Sequence, residues 1–269
     1  MQLLNNKVVF LTGGTAGIGL ECAKSYQKAG AKLCIISNDQ QSIEQTEPLL
    51  SFGETLFIHA DVSVAAAMSS AIKEAILRFG KIDVIHNNAG ISNPSKPLHE
   101  TTEEEWDHLF NVNVKGIYNT TRAGLDELIK TKGTILNTGS LVGEIGQETH
   151  AVYTATKGAV SALTKSMALD YARYGIRVNA VAPAGVWTPM LRSWSNQQKD
   201  KESIEEYLDQ IHALGYCPEG DVIADACLFL ISHQARFITG CILPVTGGAE
   251  LGYKKHMSEL SINPNGQTA

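Results

Sequence analysis

The stretch TGGTAGIG at residues 12–19 follows directly on the apolar run KVVFL at residues 7–11. The apolar run predicts a buried strand, and residues 18–29 predict a helix that ends at Gly30. Glycines between a strand and a helix let the backbone turn sharply and approach a pyrophosphate, whose charge is stabilised at the helix N-terminus. Loops also use glycine for positive φ, so the spacing alone is a weak signal. Its position after a buried strand favours a dinucleotide-binding turn.

The rest of the chain alternates strand and helix patterns, which predicts an α/β fold. Continuous apolar runs, without a polar residue at every second position, indicate a parallel sheet covered by helices on both faces. The predicted strands are 7–11, 32–36, 55–60, 82–86, 133–137, 176–181 and 241–245, and the predicted helices are 18–29, 65–79, 103–129, 151–174 and 221–230.

No linker or repeat divides the sequence, so we predict a single domain over residues 1–253. Residues 187–214 are polar and follow a predicted strand end, where open α/β sheets bind their ligands. We interpret this segment as a substrate lid and residues 254–269 as a C-terminal tail.

Composition excludes several classes of function. The formal net charge is -6 and no block of Lys or Arg occurs, which argues against nucleic acid or a membrane as a partner. The five cysteines form no CxxC pair and lack ligand spacing with histidine, so we expect reduced thiols, no metal and a cytoplasmic protein. Neither a signal peptide nor an apolar run of membrane-spanning length is recognisable.

Tyr153 and Lys157 are four residues apart, and therefore lie on one face of the predicted helix 151–174. An exposed Tyr–Lys pair would be the ordinary alternative, but Ala155, Gly158 and Ala159 are too small and apolar for a solvated face. Ser140 follows the predicted strand 133–137, close enough in sequence to meet the start of this helix.

These residue types suit hydride transfer to a carbonyl, which needs a proton donor at oxygen. A free tyrosine titrates near pH ~10. We expect the Lys157 cation, with a positive nicotinamide ring, to favour the phenolate and lower the Tyr153 pKa. The Ser140 hydroxyl would hold the carbonyl oxygen.

The motifs occur in an order that resembles the short-chain dehydrogenase/reductase family over about residues 5–253. They are TGGTAGIG, Asp61-Val62, NNAG at 87–90, Asn113 within NVNVKG, Ser140, YTATK at 153–157 and residues 183–188. The resemblance implies a seven-stranded Rossmann-like, doubly wound parallel sheet and a homotetramer. It also implies a catalytic tetrad of Asn113, Ser140, Tyr153 and Lys157, with Asn113 holding a water in a proton relay through Lys157.

The resemblance further implies the residues that bind NAD or NADP. Asp61 and Val62 would flank the adenine, Asn88 to Gly90 the adenosine ribose, and Thr188 the nicotinamide carboxamide. The complete expected set is Gly13, Thr15, Gly17, Ile18, Gly19, Ser37, Asn38, Asp61, Val62, Asn88, Ala89, Gly90, Tyr153, Lys157, Pro183, Val186 and Thr188.

Further stretches, such as SLVGEIGQ at 140–147 and VTGGAELGY at 245–253, resemble the family's subgroup of 17-beta-hydroxysteroid dehydrogenase type 14, which is also an L-fucose dehydrogenase. This implies a small-molecule substrate such as a secondary alcohol or sugar lactol. The implied substrate residues are Ser92, Ser140, Gln147, Tyr153, Trp187 and Tyr253. Trp187 and Tyr253 are equally compatible with core packing.

Two positions depart from the family pattern. The proline–glycine pair expected after the sixth strand is Pro183-Ala184, with glycine one residue later. Ser37 and Asn38 replace the Asp of NAD-preferring members and the Arg of NADP-preferring members. No Lys or Arg occurs at residues 37–40 to offset a 2′-phosphate, and Asp39 adds a like charge, so we favour NAD over NADP.

Three alternatives stay open at this stage. A 3-oxoacyl thioester reductase or a hydroxysteroid dehydrogenase would use the same tetrad, although an acidic carrier protein would want a basic patch that the sequence lacks. A dinucleotide-sensing scaffold without catalysis would typically have lost Tyr153 or Lys157, and both are present.

Overall fold

The computed structural model describes residues 2–92, 94–197 and 200–252. Within them, seven parallel strands form one sheet, which confirms the expected seven-stranded parallel sheet, and their order is β3-β2-β1-β4-β5-β6-β7. The strands are β1 (Val8–Thr12), β2 (Lys32–Ser37), β3 (Thr55–His59), β4 (Val84–Asn87), β5 (Thr134–Thr138), β6 (Arg177–Pro183) and β7 (Ile242–Val245). The strand order reverses between β1 and β4, and ligands of such sheets bind beyond the carboxyl ends at this point.

Helices cover both faces of the sheet. The helices are α1 (Gly17–Lys28), α2 (Gln40–Thr46), α3 (Ala65–Phe79), α4 (Glu103–Phe110), α5 (Gly116–Thr131), α6 (Ala151–Tyr171), α7 (Pro189–Asn196), α8 (Lys201–Gln210) and α9 (Gly220–Ile231). Helix α1 packs against α9 on one face, while α3 packs against α5 on the other, next to α6. The two apolar cores explain why the strands are apolar at consecutive positions.

The predicted helix 103–129 is helical throughout in the structure, but it is not uniform. Helix α4 ends at Phe110, a π-helical turn covers Asn111–Lys115, and α5 begins at Gly116. A π turn widens the helix locally and re-aims the side chains within it, and such turns are common at functional sites. Here the re-aimed residue is Asn113, which is 2% exposed.

Several short polar helices were not predicted from the sequence, because they carry little apolar periodicity. Helix α2 is capped by Asp39, whose carboxylate accepts a hydrogen bond from the Gln41 amide. Helices α7 and α8 lie within the predicted lid 187–214 and are likewise capped, by Thr188 and Asp200. Thus the segment has regular structure where the sequence suggested only a long polar connection.

The part of the chain that the structure describes offers neither a membrane-spanning helix nor a cluster of metal ligands. No helix there combines the length and apolar character needed to cross a bilayer. No group of three or more His, Cys, Asp or Glu side chains there could hold a metal ion. Tyr253 and the predicted tail 254–269 lie outside the described residues.

Candidate active site

Ser140 reaches the site from the turn that follows β5. Its hydroxyl caps a short 3-10 turn, Leu141–Gly143, by accepting a hydrogen bond of 3.4 Å from the Val142 amide. A Cβ on Gly143 would lie 2.7 Å from the carbonyl oxygen of Lys157, so this turn packs on the α6 backbone only because Gly143 has no side chain. The close approach brings Ser140 into a side-chain hydrogen bond with Tyr153.

Lys157 lies one turn further along α6 and is 5% exposed. Its Nζ donates a 2.9 Å hydrogen bond to the Thr138 carbonyl at the end of β5 and lies 5.6 Å from the centroid of the Tyr153 ring. Burial lowers the pKa of Lys157 to about 8. The structure therefore brings together the three side chains that the sequence places on one strand end and one helix face.

The pKa of Tyr153 is raised, because burial disfavours the phenolate more than the hydrogen bond with Ser140 favours it. The sequence instead predicts that Lys157, together with a nicotinamide cation, lowers the Tyr153 pKa. For the protein's own side chains the net shift is upward. Tyr153 is therefore a phenol at neutral pH, the form that can donate a proton to a carbonyl oxygen.

Asn113 connects the loop after β4 to helix α6. Its Oδ1 accepts from the Ile91 amide at 2.8 Å, and its Nδ2 donates to the Ile91 carbonyl at 2.8 Å and to the Thr156 hydroxyl at 3.0 Å. The side chain thus fixes the loop that borders Lys157. The water relay that the resemblance assigns to Asn113 stays a prediction.

The glycine-rich turn forms a compact, open-ended cradle for an anion. A Cβ on Gly19 would lie 2.0 Å from the Gly13 carbonyl oxygen, so the turn folds back on α1 only with glycine at this position. Ala16 provides no side-chain cap, and the first turn of α1 has no acidic residue. The N–H groups at this helix end are therefore suited to a phosphate.

Two neighbouring loops extend the cradle toward Lys157. The Thr12 hydroxyl accepts from the amides of Asn88 and Ala89 at 3.0 and 3.1 Å, which holds the NNAG segment against β1. A Cβ on Gly90 would lie 3.6 Å from Nζ of Lys157, so the absence of a side chain there leaves room beside the ammonium. The NNAG segment thus links the glycine-rich turn to Lys157, and the three border one cleft.

Further expected cofactor residues border the same cleft. A Cβ on Gly17 would lie 3.1 Å from Cγ2 of Thr188, so the loop after β6 meets the glycine-rich turn. At the end of this strand, the Pro183 carbonyl lies 3.5 Å from the Ser140 hydroxyl, while Val186 is buried. The shifted glycine, Gly185, packs beside His212 and Cys217.

The predicted ribose contacts at the end of β2 are already engaged within the protein. Ser37 is 8% exposed, and its hydroxyl accepts from Thr15 Oγ1 at 3.1 Å and from the Asp39 amide at 3.2 Å. The Asn38 side chain is exposed. Ser37 thus helps to shape the β2 end, and Asn38 is the more accessible of the two.

Asp61 and Val62, the expected adenine neighbours, follow β3. The Asp61 carboxylate accepts from the Ser63 amide at 2.8 Å, and the Val62 carbonyl accepts from Asn119 Nδ2 at 2.8 Å. These bonds hold the connection between β3 and α3 at the carboxyl edge of the sheet.

The expected substrate residues are distributed over two places. Ser92 Oγ lies 3.2 Å from Met190 Sδ on α7, which joins the loop after β4 to the predicted lid. Gln147 is exposed in the segment before α6. Trp187 instead contacts Arg192, whose guanidinium lies 4.9 Å from its ring, and lines a cavity of about 460 Å³ with Gly17 and Glu219. The assignment of Trp187 to the substrate pocket stays a prediction.

Sequence reasoning missed four residues that organise the site: Thr12, Thr138, Gly143 and Thr156. The sequence could have indicated Thr138, because this residue ends a strand two residues before Ser140. The contacts of the others involve residues distant in the sequence or backbone approaches that no local pattern records.

Comparisons with known proteins find similar enzymes over most of the chain. The family model described as enoyl-(acyl carrier protein) reductase matches residues 13–250. The chain is 38% identical to the L-fucose dehydrogenase of Mus musculus over 260 residues, which covers 96% of this chain and 93% of that protein.

Solved structures are similar over most of their length. Levodione reductase superposes with a TM-score of 0.89 at 30% identity, covering 93% of this chain and 100% of that one. A 3-ketoacyl-(acyl-carrier-protein) reductase from Brucella melitensis, complexed with NADH, gives a TM-score of 0.83 at 33% identity and covers 91% and 99% of the two chains.

Proposed function

Because the chain belongs to the short-chain dehydrogenase/reductase family, we propose that Asn113, Ser140, Tyr153 and Lys157 are its catalytic tetrad. The chain is an NAD(P)-dependent oxidoreductase that interconverts an alcohol and a carbonyl. The observation that carries the assignment is the hydrogen bond between Ser140 and Tyr153, one helical turn from the buried ammonium of Lys157.

Each side chain has a distinct role in this proposal. The coenzyme supplies or accepts the hydride when bound. Ser140 donates a hydrogen bond to the substrate oxygen, and Tyr153 transfers the proton to or from that oxygen. Lys157 stabilises the developing phenolate and binds the nicotinamide ribose. Asn113 holds the loop at Ile91 and a relay water.

We propose a polar secondary alcohol or a sugar lactol of the L-fucose type as the substrate. The similarity to L-fucose dehydrogenase supports this, as does the hydroxyl of Ser92, which contacts Met190 in the proposed lid 187–214. A 3-oxoacyl thioester and a hydroxysteroid are the competing substrates. A panel of aldoses, steroids and acyl thioesters, read by absorbance of the reduced coenzyme, tests the proposal. Turnover of steroids or thioesters with none of sugars would refute it.

We expect the alcohol-oxidising rate to rise with pH between about 6 and 8, the range in which Lys157, whose pKa burial lowers to about 8, still carries its charge. Oxidation needs the Tyr153 phenolate, and the pKa of that phenol is raised by burial, so deprotonation and activity are gained as pH increases. Carbonyl reduction uses the phenol and should not rise over the same range. Initial rates at saturating coenzyme in both directions measure the two profiles. An oxidation rate that falls with pH would contradict the assignment.

We propose that NAD is preferred over NADP. The exposed stretch that follows β2 carries Asn38 and the carboxylate of Asp39, and repulsion by Asp39 disfavours a 2′-phosphate. Ser37→Asp should tighten NAD binding and nearly abolish NADP use, because a carboxylate there can accept from both ribose hydroxyls.

Ser37→Ala is the matched control, since it removes the bond to Thr15 without adding charge. It should leave the coenzyme preference as it is. The measurement is kcat/KM for both coenzymes in all three proteins. A preference for NADP of about tenfold or more in the unaltered protein would show the charge argument to be wrong.

A homotetramer is the proposed assembly. Exposed apolar side chains on α5 and α6 support it, with Tyr118 at 53% and Leu169 at 82% exposure, because such surfaces mark interfaces. Light scattering should give four times the chain mass of 29.0 kDa. Leu169→Arg should shift that mass downward, and an unchanged tetramer would exclude this part of α6 from the interface.

A further inference from the structure

A fully buried histidine lies directly behind the coenzyme cleft. His86 belongs to β4, is 0% exposed, and contacts a polar side chain with each ring nitrogen. Its Nδ1 lies 3.0 Å from the hydroxyl of Tyr26 on α1, and its Nε2 lies 3.0 Å from the hydroxyl of Thr138 at the end of β5. Neither His86 nor Thr138 belongs to the proposed tetrad.

The hydrogen-bond partners determine which atom donates at each step. Nδ2 of Asn88 lies 3.2 and 3.0 Å from the carbonyl oxygens of Thr12 and Gly13, so the amide nitrogen faces those acceptors. Oδ1 of Asn88 therefore faces Thr138 and accepts its only hydroxyl proton at 3.2 Å. The Thr138 oxygen must then accept from His86, which requires a hydrogen on Nε2.

Thr138 connects these hydrogen bonds both to the glycine-rich turn and to Lys157. Its hydroxyl holds Asn88, which in turn holds the glycine-rich turn through Thr12 and Gly13. Its carbonyl accepts from the ammonium of Lys157 at 2.9 Å. A change in the orientation of Thr138 would therefore disturb both the phosphate cradle and Lys157.

We propose that His86, with its hydrogen on Nε2, is a positioning residue that orients Thr138 and thereby Asn88 and Lys157 for coenzyme binding. This inference rests on the proposed function, since it presumes that the cleft binds a nicotinamide coenzyme. Tyr26 donates to Nδ1 and fixes the ring from the α1 side. A bond of this kind, in a buried network, also polarises the next bond in the chain.

The competing interpretation is that His86 only fills space between α1 and the sheet. Two substitutions separate the alternatives. In His86→Gln the amide nitrogen reaches as far as Nε2 and can still donate to Thr138. In His86→Asn the shorter side chain reaches only as far as Nδ1. It can contact Tyr26 but cannot donate to Thr138. Both variants lose ring volume, so a packing role predicts similar behaviour.

The experiment is a direct titration of each folded variant with NADH and with NADPH. The coenzyme Kd values of the variants are then compared. His86→Asn should raise the coenzyme Kd by about five- to tenfold over His86→Gln, the effect of losing one buried hydrogen bond. Equal Kd values in the two variants would overturn the proposal. If the unaltered protein binds neither coenzyme, the proposed function fails and this inference fails with it.

A second pair of variants covers the case in which changes at His86 prevent folding. Thr138→Val removes the hydroxyl and keeps the carbonyl that binds Lys157, while Thr138→Ser keeps both. The valine variant should bind coenzyme more weakly than the serine variant, and equal binding would refute the proposal. Nitrogen NMR of the imidazole supplies an independent readout. A protonated Nε2 is expected, and an unprotonated Nε2 would contradict the assignment.

Discussion

Tyr153→Phe should lower kcat by at least roughly 100-fold, the contribution usual for a positioned acid–base group, and leave the coenzyme Kd nearly unchanged. Phenylalanine keeps the ring that packs 5.6 Å from Nζ of Lys157 and removes only the hydroxyl that hydrogen-bonds Ser140. Turnover with the best substrate of the panel and coenzyme titration measure the two quantities separately.

Tyr171→Phe is a suitable control, because Tyr171 ends the same helix α6 and lies 18 residues further along the chain. That variant should retain near-normal turnover. If Tyr153→Phe also retained it, the proton transfer would have to be assigned elsewhere. The comparison separates loss of a hydroxyl from α6 in general from loss of the hydroxyl beside Ser140.

The layered fold could be predicted because its signals are local. Each strand is a short apolar run, and the strongest helices end at glycines such as Gly30 and Gly80. The π turn at Asn111–Lys115 could not be predicted, because the sequence NVNVK contains no proline or glycine that would mark a change within a helix. Its cause lies in distant contacts of Asn113 with Ile91 and Thr156.

The residues proposed to be catalytic were recognisable in the sequence, but the contacts that position them were not. Residue type and spacing identify Ser140, Tyr153 and Lys157 as candidates. Gly143 reads as an ordinary loop glycine, although its missing side chain is what lets Ser140 approach α6. The direction of the Tyr153 pKa shift also depends on burial, which no local pattern records.

Trp187 illustrates the limit of transferring residues by resemblance. The resemblance assigns Trp187 to the substrate pocket, with core packing as the alternative, and the assignment stays a prediction. In the structure its backbone amide donates to the Pro218 carbonyl at 2.8 Å and its ring stacks with Arg192 near α1. Position along a loop therefore identifies a neighbourhood, while the side-chain direction depends on partners elsewhere in the chain.

Lys157→Met should reduce turnover by at least roughly 100-fold and, unlike Tyr153→Phe, should also weaken coenzyme binding by about tenfold or more. Methionine has a similar length and fits the buried position, but it cannot donate to the Thr138 carbonyl or offer charge to the cleft beside Gly90. Coenzyme titration and single-turnover rates separate the two losses.

The pH dependence of stability shows whether Lys157→Met removes only the Lys157 charge or damages the fold in general. Because burial lowers the pKa of Lys157 to about 8, the unfolded chain, with its ordinary value of 10.5, binds more protons between those two pH values. The unaltered protein without coenzyme should therefore gain stability from this group as pH rises from about 8 to 10. Lys157→Met should lose that gain and keep, or raise, the Tm at pH 7, since a buried cation is costly.

Lys165→Met is the matched control, because Lys165 lies two turns further along α6 and is exposed. It should leave turnover, coenzyme Kd and the pH dependence of stability unchanged. A Lys157→Met protein that binds coenzyme normally would exclude the ammonium from the ribose site. A large fall in its Tm at pH 7 would instead mean that Lys157 stabilises the fold, and that its burial serves packing more than catalysis.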